Sequence, residues 1–347
     1  MRGGRAAVAR ACLAAGILGA AGVWPATATA SAAAAGGVSV ADGAALIQAA
    51  QKQFHSGNYS AAISTLESAV AQNPNAAEAY YWLGRNYYEL HDYDNAIAQV
   101  EKSVQLEPKN SVYHQWLGRS YGEKADRERS FGLAKKVKKE FQEAVQLDGG
   151  NLEARRDLEQ YCIDAPWIAG GSKDEAKAQV DAIAAVDPVE GHLARAVFDQ
   201  AALKRLDLAE NEYREVLNAK PNRIEPYLEA VDFFGGMKKL PDMDAAIESA
   251  AHVAPNDLRL EYYRGAARVV EGTDYAHGEE YLKAYLASTP ERSDWPSHAR
   301  ARDWLGRLYE AEGKRTEAAE QYRAALQLDP GRKDTRERLQ KLEKSSH

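Results

Sequence analysis

Apolar and small residues along the chain recur in a fixed order. Tyr80-Tyr81-Trp82-Leu83-Gly84-Arg85-Asn86-Tyr87 is followed by His114-Gln115-Trp116-Leu117-Gly118-Arg119-Ser120-Tyr121. Trp82 returns as Trp116, Gly84 as Gly118 and Tyr87 as Tyr121, at one shared period of 34. A third copy, Trp304-Leu305-Gly306-Arg307-Leu308-Tyr309, stands near the C-terminus. Each unit carries a second stretch with helical spacing, such as Tyr59, Ala62, Leu66 and Ala69. The units end at helix-stopping residues: Pro74, Pro108, Gly149, Pro188, Pro221, Pro255, Pro290 and Pro330. The pattern predicts two helices per unit. Gly84 and Ala96 are small where two helices of a hairpin approach most closely. Trp82, Leu83 and Tyr87 are placed to fill the gap to neighbouring hairpins.

This periodic order of Trp-Leu-Gly, Tyr, Ala and Pro resembles the tetratricopeptide repeat family. The resemblance covers residues 43–344. It is strongest around Trp82, Trp116 and Trp304 and weakest in the fourth and seventh units. It implies an all-α right-handed α-solenoid of about eight helical hairpins over residues 43–330, with a capping helix and tail at residues 331–347. One hairpin cannot bury its apolar faces alone, so the hairpins must stack. Leu339 and Leu342 mark the buried side of the charged cap.

Three intervals depart from the period. The stop-to-stop spacings run 34, 41, 39, 33, 34, 35 and 40. The first excess lies in residues 123–140, a basic segment with seven Lys or Arg against four acidic residues in a chain of net charge −7. Phe131, Leu133, Ala134, Val137 and Phe141 suit one helical face there. The second lies in residues 164–171, Asp-Ala-Pro-Trp-Ile-Ala-Gly-Gly, where Trp167 and Ile168 either tuck back or line a groove. Ser172 and Glu175 after it have the spacing of a capping box. The third lies in residues 291–298. The extended third unit together with the Ala-Pro-Trp-Ile-Ala-Gly-Gly loop resembles exported bacterial repeat proteins.

Residues 1–30 are of another kind. Arg2, Arg5 and Arg10 precede the apolar run Ala11–Val23 and the small-residue site Ala28-Thr29-Ala30. This is the pattern of a secretory signal peptide, too short to span a membrane. Its removal takes three positive charges and leaves net −10. Residues 31–42, rich in Ala and Gly, are expected to be a disordered lead-in. The expected location is periplasmic or secreted, with no transmembrane segment after cleavage. The acidic balance argues against nucleic acid as a partner. Cys162 is the one cysteine beyond the signal segment and reads as buried rather than reactive.

Catalytic motifs are missing. No His-Glu-x-x-His, Gly-x-Ser-x-Gly or Gly-rich phosphate loop occurs, and the eight histidines are scattered. No enzyme activity, metal or cofactor is expected. The resemblance implies a concave face lined by the first helix of each hairpin. Its expected partner-binding residues are Tyr81, Arg85, Tyr88, Gln115 and Arg119, with Asp303 and Arg307 equivalent near the C-terminus. The other reading pairs Arg85 and Arg119 with Glu89 and Glu123 four residues on. The function so implied is a non-catalytic protein-protein scaffold holding a protein or peptide. A second reading makes the chain an accessory subunit docking through Lys135, Lys136, Lys138 and Lys139. A third is an enzyme or glycan binder with a pocket at Trp167, Arg155 and Arg156.

Overall fold

The computed structural model describes residues 40–344, and the expected signal peptide lies outside them. The described chain is α-helical apart from turns and one 3-10 turn. It divides into two units, meeting in sequence at Val186 and Asp187.

The first unit holds α1 (Val40–His55), α2 (Tyr59–Gln72), α3 (Ala77–Glu89), α4 (Tyr93–Leu106), α5 (Ser111–Glu128), α6 (Phe131–Leu147), α7 (Leu152–Asp164) and α8 (Lys173–Val186). These form four antiparallel hairpins. First helices touch first helices, α1 on α3, α3 on α5 and α5 on α7, while each second helix packs on the next first helix. Helix α1 begins at Val40, inside the stretch expected to be a lead-in; the rest of that stretch lies outside the described residues.

Local sequence sets these helix ends. Asp92, Asn110, Ser130 and Asn151 cap α4, α5, α6 and α7, each side chain accepting from a backbone N–H of the first turn. Each such cap contributes about 1 kcal/mol. The burial pattern of α2 is Tyr59, Ala62, Leu66 and Ala69, one stripe at helical spacing. Gly84 lies against α4 so closely that a Cβ would stand 2.3 Å from Val100 Cγ2 and 3.1 Å from the Ala96 carbonyl. That close approach is why the small residues recur.

The extra residues of 123–140 lengthen the third hairpin. Helices α5 and α6 run to 18 and 17 residues, and Arg129 turns the chain between them in the left-handed region. Ala134, Val137 and Phe141 are buried as the spacing predicts. Phe131 is not on that face: its side chain is 59% exposed. It stands at the first position of α6, beyond the end of the packing stripe.

The second unit holds α9 (Pro188–Ala201), α10 (Leu206–Ala219), α11 (Glu225–Gly236), α12 (Leu240–Val253), α13 (Arg259–Glu271), α14 (Tyr275–Ser288), α15 (His298–Ala311), α16 (Arg315–Leu328) and α17 (Lys333–Lys344). Four hairpins again stack, and α17 packs on α16. Gly306 repeats the close approach of Gly84, with Tyr322 in the place of Val100. Leu342 is buried and Leu339 packs against the same core, as the cap requires. The insertion at 291–298 closes on itself. Arg292 pairs with Asp294, Trp295 lies under the Arg292 and Arg259 guanidiniums, and Pro296 accepts the Tyr285 hydroxyl.

Candidate functional site

Three arginines occupy the same place in their repeats, one after each Trp-Leu-Gly. The structure gives them different surroundings. Arg119 is buried. Its Nε donates to Asp157 at 2.7 Å and its Nη2 to Glu153 at 3.3 Å, both on α7. Gln115, also buried, donates to Asp157 at 2.9 Å. Burial alone would lower the Arg119 pKa, but Asp157 and Glu153 outweigh it and raise it, so the guanidinium stays charged. Arg307 lies 2.8 Å from Asp303 one turn back, and Asp303 also accepts from Thr335 at 2.6 Å.

Arg85 differs. Its guanidinium sits among the rings of Phe54, Trp82, Trp116 and Tyr81, with its carbon 4.7, 5.0, 4.1 and 5.9 Å from the centroids. Its hydrogen-bond contact is a long 3.5 Å one from Nη1 to the Tyr81 hydroxyl, and Nε is buried with no partner. It forms no ion pair among the described residues. The group is partly exposed. Four rings fix it and no described carboxylate neutralises it.

The alternative reading that pairs Arg119 with Glu123 is corrected. Glu123 accepts instead from the Tyr88 and Tyr93 hydroxyls at 3.2 and 3.3 Å. Burial is the main reason its pKa is raised. The outward placement of Tyr81, Tyr88, Gln115, Arg119 and Asp303 is corrected too. All five are buried, because the first helices pack directly on one another and enclose these positions. Of the expected groove residues in the first unit, Arg85 alone is left partly open.

The two insertions, read separately in sequence, come together in space. Helix α6 and the 3-10 turn Trp167–Ala169 line one shallow open depression of about 250 Å³ with Lys135, Lys138, Lys139, Trp167 and Ile168. Trp167 is 85% and Ile168 58% exposed, so neither tucks back; Ala169 does. Arg155 and Arg156 do not line this depression. Arg155 bonds to Gly149 and Gln179, and Arg156 is buried. Lys136 points elsewhere, over the Tyr121 ring. Lys138 is held by the Gly170 carbonyl at 2.7 Å and Glu175 at 2.5 Å. Lys135 and Lys139 are exposed and form no ion pair among the described residues.

The capping box is half made. Glu175 N–H donates to Ser172 Oγ at 3.2 Å, but the Glu175 carboxylate goes to Lys138 and Gln142. The Ser172 N–H donates to the Cys162 carbonyl instead. Cys162 is 2% exposed, and burial pushes its thiol up to about 12. The thiolate is the reactive form. A disulfide reagent at pH 8 is therefore expected to leave Cys162 unmodified in the folded chain and to modify it completely in urea. Rapid modification without denaturant would contradict this.

Among the described residues no three His, Cys, Asp or Glu side chains group to hold a metal ion, and no helix is long and apolar enough to cross a membrane.

Two family models, each described as tetratricopeptide repeat, match residues 53–119 and 299–332. Among curated proteins nothing matched. Solved structures with similar folds include a thermophilic tetratricopeptide repeat protein of Thermus thermophilus, 20% identical over 65% of this chain and 98% of that one, with a TM-score of 0.44. A tetratricopeptide repeat protein from Parabacteroides merdae is 13% identical over 87% of this chain and 98% of its own, with a TM-score of 0.44. YrrB, described as having an unusual peptide-binding site, is 23% identical over 50% and 90%, with a TM-score of 0.39. The matched segments fall on the hairpins around Gly84 and Gly306, whose helix-to-helix closure is the structural content of the repeat, and over those segments the chain carries tetratricopeptide repeats.

Proposed function

We propose that the chain is a non-catalytic scaffold that holds a protein partner through a carboxylate seated on Arg85. The observation behind this reading is the contrast among equivalent arginines. Arg119 and Arg307 each have a carboxylate within the chain; Arg85 has none among the described residues. The rings around it hold its position in advance, so little side-chain entropy is left to lose on binding. An acidic side chain or a peptide C-terminus has the matching charge and the paired acceptors. The wider concave groove contributes less than the sequence suggested, since most of its expected residues are enclosed.

The test is an array of acidic peptides, each with a free and an amidated C-terminus, probed with the full chain and with Arg85→Gln. Charge-assisted hydrogen bonds of about 1.5–3 kcal/mol correspond to a loss of roughly ten- to hundredfold in affinity for Arg85→Gln. Equal binding by the variant and the parent would sink the assignment. The scaffold is also proposed to work outside the cytoplasm, on the strength of the basic, apolar and small-residue order of residues 1–30. Expression in a bacterium should then yield an extracytoplasmic protein whose N-terminus is near Ser31. A chain that stays uncleaved inside the cell would contradict that part.

A further inference from the structure

We propose that the edge formed by α6 and the Trp167 turn is a docking surface for an anionic lipid layer, separate from the Arg85 site. Phe131, Lys135 and Lys139 are spaced one helical turn apart and share one side of α6. At a rise of about 1.5 Å per residue, the Phe131 end stands about 12 Å from the Lys139 end. Trp167 and Ile168 stand beside that second end, in the depression with Lys135 and Lys139. The edge therefore carries apolar tips at both ends, with lysines that no described carboxylate pairs between them.

Three observations favour a lipid surface over a protein groove. The apolar tips project singly: Phe131 and Trp167 are 59% and 85% exposed, and among the described residues neither ring stacks on another ring or a cation. A groove for a peptide would give such side chains walls. The charges lie between the tips, and no carboxylate lines the depression, the nearby Glu175 being engaged by Lys138 and Gln142. Trp beside Lys is the composition of an interfacial anchor, with the ring at the headgroup level and the ammonium on the phosphate. Finally, the tip is rigid. The Ala169 carbonyl lies 2.7 Å from the Tyr161 hydroxyl, Lys138 holds Gly170, and the Gly171 N–H donates to Pro166. A rigid turn that points Trp and Ile into water is suited to entering a second apolar phase.

The experiment uses vesicles of phosphatidylcholine with and without phosphatidylglycerol, and the full chain. The parent is compared with Lys135→Glu plus Lys139→Glu and with Trp167→Ser plus Ile168→Ser. All carry the same residues 1–39, so any binding by those residues is common to them. Each double variant should weaken partition onto phosphatidylglycerol vesicles by at least about tenfold. The lysine effect should fade as salt is raised. Brominated phosphatidylglycerol should quench more emission in the parent than in Trp167→Phe, the difference being Trp167 itself. All these substitutions are at exposed positions, and helicity by circular dichroism should be unchanged. Equal partition of parent and variants, or no quenching difference at Trp167, overturns the proposal and leaves the edge to a protein partner.

Discussion

Replacing Asp157 by Leu is expected to destabilise the first unit by about 3–5 kcal/mol, the cost of leaving a buried charge without its partner. Arg119 and Asp157 are 5% and 3% exposed and meet at 2.7 Å, so neither can turn to water when the other is removed. Glu153 remains, but it is more exposed and its contact with Arg119 is longer. Gln115 also loses the acceptor it shares with Arg119. The loss would fall on the contact of α5 with α7, between successive hairpins, where a repeat array is held together by nearest-neighbour terms. Arg119→Met combined with Asp157→Leu removes both charges and should cost less than Asp157→Leu alone. Urea unfolding of the four chains of this cycle is the check. An Asp157→Leu chain within about 1 kcal/mol of the parent would refute the argument, as would strict additivity in the double variant.

Arg119 also shows where sequence reading stops. Its charge and its place after Trp-Leu-Gly were legible; its partner was not. Helical geometry points to a partner one turn along the same helix. The true partners are 34 and 38 residues away, on the first helix of the next hairpin. The rule recurs. Arg259 reaches Glu225 at a separation of 34, Arg223 reaches Glu190 at 33, Thr335 reaches Asp303 at 32 and Tyr88 reaches Glu123 at 35. In a stacked array the period that brings Gly84 and Gly118 into register also brings polar partners into register. Adding that period to each polar position of a first helix leads to within four residues of each of these partners.

The hairpins themselves were legible because each depends on small residues facing large ones at fixed spacing. The family matches fall where that spacing is cleanest, around Trp82 and Trp304. The two insertions were not legible as one surface. Nothing in the order Phe131, Lys135, Lys139 says what lies beside them, and Trp167-Ile168 between Pro166 and Gly170 is equally compatible with tucking in. Their juxtaposition depends on the turn after α7 folding back over α6, and that turn is set by backbone rather than by hydrophobic pattern.

Gly171→Ala is expected to break that turn, at a cost of about 3 kcal/mol, in the range of strained backbone and lost buried contacts together. A Cβ at Gly171 would stand 1.8 Å from the Ala165 carbonyl oxygen and 2.7 Å from its carbon. These are main-chain atoms at the end of α7, so no side-chain rotation relieves the clash. The turn must open, and with it go the bond from the Gly171 N–H to Pro166, the one from the Ser172 N–H to Cys162, and the seat of Ala169 against Tyr161. Gly170→Ala is the informative contrast. Gly170 has φ +100°, which disfavours Ala by about 1–2 kcal/mol. Its added Cβ would meet the Lys138 chain at 2.9 Å, and that chain can move. The ordering Gly171→Ala worse than Gly170→Ala follows from backbone against side chain as the obstructing group. Amide exchange at Gly171 and Ser172 should accelerate most in Gly171→Ala, and affinity for anionic vesicles should fall with it, because Trp167 is then no longer held out from the surface. Protected amides and full stability in Gly171→Ala would mean that the turn tolerates another path past Ala165, and the rigid tip argued for the lipid surface would lose its basis.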